Sequence, residues 1–493
     1  MNENEPANPP VEKEKLFRTN KKFTDTVDIP EPFKLKGIRD YFKFLIGPGI
    51  IAMGLGLGTG EIVAAPFLVV KNGPNILWIA LFSILIQTYT AIIGSKYTIL
   101  TGEPVQVGMN RLFMNKKAWT PIWVLVGIPS VVIPYYPALL GMTFVALIIK
   151  DVPTVEANLT LWVIMGIIAL LITLLPLILG KKIMKTLGLM FFIVHFIIII
   201  PAIIIITIIT VEPITLWNVT KGLFMFGSVP SDPDWQALGA VAGFAGLAAS
   251  AGLSISTYYR DSEWGMAKRM GHIGGAGGEK IEFKTMGYMP KDDEVNHKRA
   301  KKWYRYIMAE LFPIFFLGSI VTMIFPVALY EQFVPAEAAT DQIFGFTAVL
   351  AQNMPAFIPW WLILVIMAGI FYVDGSGVID GAVRNYTNML WNAYPKLQSS
   401  KLLKKDVRRL YYGLLALLTI IWIAVIAFGV APVEQVQLAG SLANIGGIIF
   451  CLGTIGVNYI LLPSRYRMSI FELILIILAI LFYIFFLIMY FVG

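Results

Sequence analysis

The chain is short of charge, of cysteine and of histidine. Only 14% of its 493 residues are Asp, Glu, Lys or Arg, against about 25% in a soluble domain. A water-facing surface cannot be built around a chain of this length from so few charges. The single cysteine, Cys451, excludes a disulfide framework. With three histidines, no metal-ligand histidine cluster and no nucleophile–base pair falls inside the apolar runs, so an intramembrane enzyme is not expected. A cleavable signal peptide is also missing, because residues 1–40 are polar and rich in proline and lysine where an early apolar run would be needed. That stretch is expected to be a flexible cytoplasmic tail.

What the chain has in quantity is apolar residues, 57%, with a mean hydropathy of +0.72. They recur in runs of roughly 20, enough to cross a ~30 Å hydrocarbon core. Eleven spans are predicted, at 41–70, 75–98, 119–149, 158–180, 184–210, 237–259, 306–330, 359–383, 410–430, 436–462 and 470–491. The third holds Pro121, Pro129, Pro134 and Pro137 and should be kinked or broken. The protein is expected to be an all-α integral membrane protein.

Of the 39 Lys and Arg, only Lys71, Lys150 and Lys221 fall outside the N-terminal tail and the loops after even-numbered spans. The positive-inside rule then places the N-terminus in the cytoplasm and the C-terminus outside, with the plasma membrane as the expected location. The net charge of +8 is an orientation signal with anionic lipid as its neighbour, not a nucleic-acid surface. The loop 260–305 contains GHIGGAGGEK at 271–280. No strand precedes it and no Walker spacing follows, so it reads as a flexible linker.

Two spans stand apart. The first carries Gly47, Gly49, Gly54, Gly56, Gly58 and Gly60, and the sixth, ALGAVAGFAGLAASAGLSISTYY, carries Gly239, Gly243, Gly246 and Gly252. They begin five spans apart and on opposite sides of the membrane. Glycine-interrupted helices at corresponding positions of two inverted halves point to a transporter's binding site. The expected organisation is a tail 1–40, a first five-helix repeat 41–210, an extracellular loop 211–236, a second repeat 237–462 and a last helix within 463–493.

Glu61, Glu310, Asp374 and Asp380 are acids that lie within the spans. Glu61 sits nearest mid-membrane, where a bare carboxylate costs several kcal/mol unless it is protonated, hydrated or paired with a cation. Asp374, in FYVDGSG, could add a second carboxylate. Asp380 and Arg384, four apart, read as a surface ion pair, and Glu310 as a residue reaching the interface. His195 could serve coupling or support, and Ser441 and Asn444 could line a cavity.

Residues 46–78, IGPGIIAMGLGLGTGEIVAAPFLVVKNGPNILW, resemble the first helix of the Nramp metal-ion transporters without a gap. Residues 84–108 resemble that family's second helix, with Gln87, Gly94, Thr101 and Gly102 in place. GKKIMKTLG and YIMAELFPIFFLGSI resemble the starts of its fifth and seventh helices, with Glu310 at a family glutamate. The resemblance implies a LeuT-type five-plus-five inverted repeat, with broken first and sixth helices and alternating access. The family's Asp-Pro-Gly-Asn break reads Gly58, Thr59, Gly60, Glu61 here. Its sixth-helix Met-Pro-His has no counterpart from Gly243 to Ser256, where Ser250, Ser254 and Ser256 offer hydroxyls. Its third-helix acids fall near Tyr135 and Ala138, and its fourth-helix aspartate near Leu170.

Together these imply a secondary transporter of the symporter class that moves a hard divalent cation such as Mg²⁺ or Mn²⁺ through an all-oxygen site. Its expected contributors are Glu61, Gly58, Thr59, Gly60, Gly246, Ser250 and Asp374. Glu310, His195, Ser441 and Asn444 would act in support or coupling. No resident cofactor is expected, the partners being lipid and the transported ion or solute, and a monomer would suffice. Alternatives are a proton- or ion-coupled transporter of a small organic solute on the same fold and, further off, a non-transporting sensor.

Overall fold

In the computed structural model, residues 19, 21–37, 40, 41, 44, 47–112, 118–122, 132–247, 249, 252–278 and 282–492 are described. The protein is an all-α membrane protein. Its helices are α1 (Pro48–Asn72), α2 (Pro74–Thr101), α3 (Tyr135–Ile149), α4 (Val155–Leu179), α5 (Ile183–Thr210), α6 (Trp235–Phe244), α7 (Gly252–Asp261), α8 (Glu294–Phe333), α9 (Trp360–Ala393), α10 (Val407–Ala427), α11 (Pro432–Leu461) and α12 (Ile470–Val492). Among the described residues, nine of these are long and apolar enough to span a bilayer; α3, α6 and α7 are shorter.

The sequence accounts for the short ones. Pro134 stands at the N-cap of α3 and Pro137 in its first turn, where a missing N–H costs nothing. Pro129 lies outside the described residues. The sixth predicted span is divided into α6 and α7 around its glycine- and alanine-rich centre. Outer helices carry Ile, Leu and Phe on their exposed faces, such as Ile197, Ile208, Ile420 and Phe485, as a lipid-facing surface requires.

Residues 21–37, part of the stretch expected to be a flexible tail, are docked instead. Thr26 and Val27 form a parallel bridge with Met289 and Pro290, and Ile29 is fully buried. Asn296 takes the Ile29 N–H on its Oδ1 at 2.7 Å. Trp303 and Tyr306 of α8 donate to the carbonyls of Pro30 and Phe33, each at 2.8 Å. Arg111, beyond α2, donates to the Lys22 carbonyl at 2.6 Å while paired with Glu103. Phe33 packs edge-on against Phe44, Trp264 and Trp303. Residues 22–33 are therefore a docked strap: aromatic side chains and satisfied carbonyls repay the ordering entropy.

The loop 271–278 is also seated rather than free. The Gly275 N–H donates to the Lys181 carbonyl at 3.0 Å, and Arg408 donates to the Gly278 carbonyl at 2.6 Å. A Cβ at Gly275 would collide with the Gly180 carbonyl. Gly275 and Gly278 serve close backbone approach. Lys280 lies outside the described residues.

Candidate functional site

The middle of α1 is built from GLGLGTG, residues 54–60, in which alternate residues are glycine. Positions four apart share a helix face, so the glycines form two bare faces. A Cβ at Gly54 would run into Phe191 and His195, and one at Gly58 into Tyr136 Oη and Asp374 Oδ2. On the other face, a Cβ at Gly56 would sit 2.5 Å from the Gly246 carbonyl, and one at Gly60 would collide with that of Phe244. One face thus admits side chains of α3, α5 and α9. The other admits the backbone linking α6 to α7.

The helix is dislocated here rather than opened. It is α-helical to Leu57, Gly58 leaves the helical region with ψ −99°, and a π-turn runs from Gly60 to Ala64. Such turns insert a residue and often mark functional sites. Glu61 lies in that turn. The interruption between α6 and α7 is complete. Gly246 there has φ +88°, a conformation that costs other residues strain.

The two breaks meet. The Gly246 N–H donates to Glu61 Oε1 at 3.1 Å, and the next amide, Leu247, donates to Gln87 Oε1 at 2.7 Å. Gln87 Nε2 donates to Ser83 Oγ at 2.8 Å, and Ser83 Oγ to the Ala242 carbonyl at 2.6 Å. α2 therefore holds the interrupted backbone in place. Replacing Gln87 with Leu strands the Leu247 N–H, at a cost of about 1–3 kcal/mol. A lower thermal midpoint in detergent, with the helical content unchanged, is the expected readout.

On the opposite face, His195 Nε2 lies 3.4 Å from Asp374 Oδ1. Tyr136 Oη accepts from the Thr59 N–H and donates to the Leu55 carbonyl, both at 3.3 Å. Those are backbone groups freed by the dislocation. Glu61, Asp374 and His195 are wholly buried. Glu61 Oε2, both Asp374 oxygens, both ring nitrogens of His195 and Ser319 Oγ make no hydrogen bond of good geometry. The two carboxyl groups are close enough to interact electrostatically. Arg260 and Arg384 are buried too, but Arg384 is held by Asp380 and Asp261 and Arg260 donates to Asn388. Among the described residues no three of His, Cys, Asp and Glu converge as a metal cluster. The arrangement offers carboxylates, backbone and hydroxyls to a positively charged guest, in a place short of positive charge.

Gly58, Thr59, Gly60, Glu61, Gly246, His195 and Asp374 are thus brought together, while Ser250 lies outside the described residues. Glu310 does not reach the interface. It is buried, accepting from the Gly49 N–H at 2.8 Å and from Tyr259 Oη at 2.5 Å, and so caps the start of α1. Ser441 and Asn444 are engaged with backbone. They donate to the Gln236 and Gly239 carbonyls at 2.8 and 3.0 Å, fixing α11 to α6, whose glycines leave carbonyls within reach. Asp380 and Arg384 are fully buried, not at the surface, because α9 continues to Ala393 inside the protein. Gln87 and Tyr136 were missed as site residues. A lone amide in the apolar run of α2 could have flagged the first; nothing in the sequence flags the second.

No family model matches the sequence, and no curated protein does. Solved structures do match in shape. Variants of the Eremococcus coleocola manganese transporter superimpose with a TM-score of 0.62, covering 96% of this chain and 90% of theirs at 11% identity. Mhp1, a nucleobase-cation-symport-1 family transporter in a closed conformation with bromovinylhydantoin bound, gives 0.50 over 90% and 92% at 13% identity. At these identities the likeness shows a shared fold, the LeuT-type arrangement, which the two interrupted helices also display.

Proposed function

We propose that the protein is a secondary transporter that carries a cation by alternating access, with its site at the two helix breaks. The observation that carries this reading is the set of buried carboxyl oxygens that accept no hydrogen bond, Glu61 Oε2 and both of Asp374, on opposite faces of the dislocated α1. Buried carboxylates without a counter-charge are costly, and a bound cation would remove that cost. Glu61 and Asp374 would supply the charge. The Gly58 to Gly60 and Gly246 backbone, with Tyr136 and Ser319, would supply neutral oxygens. Such a donor set suits a hard divalent ion such as Mg²⁺ or Mn²⁺, and without a thioether it discriminates poorly against Ca²⁺. The charge distribution of the loops supports a cytoplasmic N-terminus, an extracellular C-terminus and residence in the plasma membrane, and nothing in the site requires a second subunit.

A second reading, an organic ammonium as cargo, is favoured by the aromatic wall beside the site. Tyr135 packs on Tyr136 and Phe244 with ring centroids 4.9 and 5.2 Å apart, and aromatic faces attract such cations. Purified protein in liposomes holding a divalent-sensitive dye would be offered Mg²⁺, Mn²⁺ and Ca²⁺ outside. Uptake above that of empty liposomes is expected. If none of the three enters, yet radiolabelled amines or amino acids do, the metal reading is lost and the organic one stands. If nothing crosses, the transporter reading fails.

A further inference from the structure

About 9 Å along α9 from Asp374, at the six-residue spacing of a helix, lies a second group of buried charges that the site does not use. Arg384 forks onto Asp380 of its own helix through Nε and Nη2, at 2.9 and 2.7 Å. Its remaining Nη1 donates to Asp261, at the end of α7. Tyr411 of α10 donates to Asp380 Oδ1 at 2.7 Å. Arg260, beside Asp261 in sequence and interacting with it electrostatically, donates to Asn388 of α9 at 2.5 Å and lies 3.8 Å over the Phe283 ring. Arg260, Asp380 and Arg384 are fully buried, Asp261 nearly so.

The four charges belong to two elements in a particular way. α7 carries one cation and one anion, Arg260 and Asp261. α9 carries one anion and one cation, Asp380 and Arg384. Within the quartet the charges contributed by each element cancel, and the Asp261–Arg384 pair is the ionic contact between them. Breaking a buried ion pair by removing one partner is severe because it strands the other. Here the cost of separation is reduced, because Arg384 keeps its fork onto Asp380 and Asp261 stays within the field of its neighbour Arg260.

We propose that this quartet is a separable gate: Asp261–Arg384 holds α7 against α9 on the side of the basic loops, and Asp380 is the resident counter-ion that lets the contact open. The inference rests on the transporter reading, which requires α7 and α9 to part on that side. It makes the two aspartates act in opposite directions. Without Asp261 the closed state loses its link, while Arg384 stays neutralised by Asp380, so the gate opens. Without Asp380 the closed state keeps Asp261 on Arg384, and opening leaves Arg384 bare, so the gate stays shut.

The test reads the gate directly. Ser254 of α7 faces α9, accepting from Asn385 Nδ2 at 2.8 Å, and is almost fully buried. In full-length protein in membranes, with Cys451→Ala removing the native thiol, Ser254→Cys would be labelled with a polar maleimide. Asp261→Asn is expected to raise the labelling rate about tenfold, and Asp380→Asn to lower it several-fold. Should Asp261→Asn fail to fold, Arg384→Lys, whose single nitrogen cannot both hold Asp380 and reach Asp261, is expected to raise labelling in its place. Equal or same-direction effects of the two aspartate variants, or no effect of either, would overturn the proposal. Because labelling needs no cargo, absence of transport would count against the function proposed above and leave this result to be read separately.

Discussion

Glu61→Gln is expected to abolish cation uptake into liposomes while leaving the protein folded. The amide keeps the shape of the side chain, and its carbonyl can still accept from the Gly246 N–H, now 3.1 Å from Glu61 Oε1. The join between the two helix breaks therefore survives. What goes is the charge on the buried Glu61 Oε2, which has no partner of its own. An interaction with a charged group is worth about 1.5–3 kcal/mol, so affinity for the cargo should fall on the order of 10- to 100-fold. Calorimetric binding of Mn²⁺ and dye-reported uptake would both record it. Binding unchanged by the substitution would remove Glu61 from the site and move attention to Asp374 and His195.

The second large effect concerns two glycines of α1 that lie two residues apart and should fail in different ways. An alanine at Gly56 puts its Cβ 2.5 Å from the Gly246 carbonyl, backbone against a side chain that has nowhere to go. Overpacking costs about 1–3 kcal/mol, and here it is paid in the seating of the interrupted sixth span. Gly56→Ala is therefore expected to lower the thermal midpoint and the yield of folded protein. An alanine at Gly58 meets the ends of two side chains, Tyr136 and Asp374, which can swing away. Gly58→Ala should fold with a smaller loss of stability yet transport poorly, because the displaced groups face the site. Measuring thermal midpoint and uptake on the same preparations separates the two. Equal stability losses would mean that the two faces of α1 are packed alike.

Much of this was legible in the sequence, for a physical reason. Hydrocarbon leaves the backbone few choices, so apolar runs became helices nearly where hydropathy placed them. The glycines of the first and sixth spans marked both interruptions, and Glu61 stood out because a mid-membrane acid is expensive. What could not be read was partnership. Asp380 and Arg384, four apart on α9, look the same in sequence whether they face solvent or Asp261 of α7. Glu310 is an interfacial acid by position and a helix cap only because α8 delivers it to the Gly49 N–H. The tail's polar composition gave no hint that Trp303 and Tyr306 of α8 take up its carbonyls. Each of these depends on which helix lies alongside, and periodicity within one helix does not contain that.

The two bare faces of α1 bear on how far charge effects reach. A helix normally measures about 10–12 Å across with its side chains, but its Cα cylinder is only about 4.6 Å wide. Stripped at Gly54, Gly56, Gly58 and Gly60, α1 is close to that thinner limit between Glu61 with Gly246 on one flank and Asp374 with His195 on the other. The partition between the flanks is a single layer of peptide, too slim to act as an insulator. Whatever neutralises one flank relieves the repulsion felt by the carboxylate on the other, so the two halves of the site answer to each other through peptide alone.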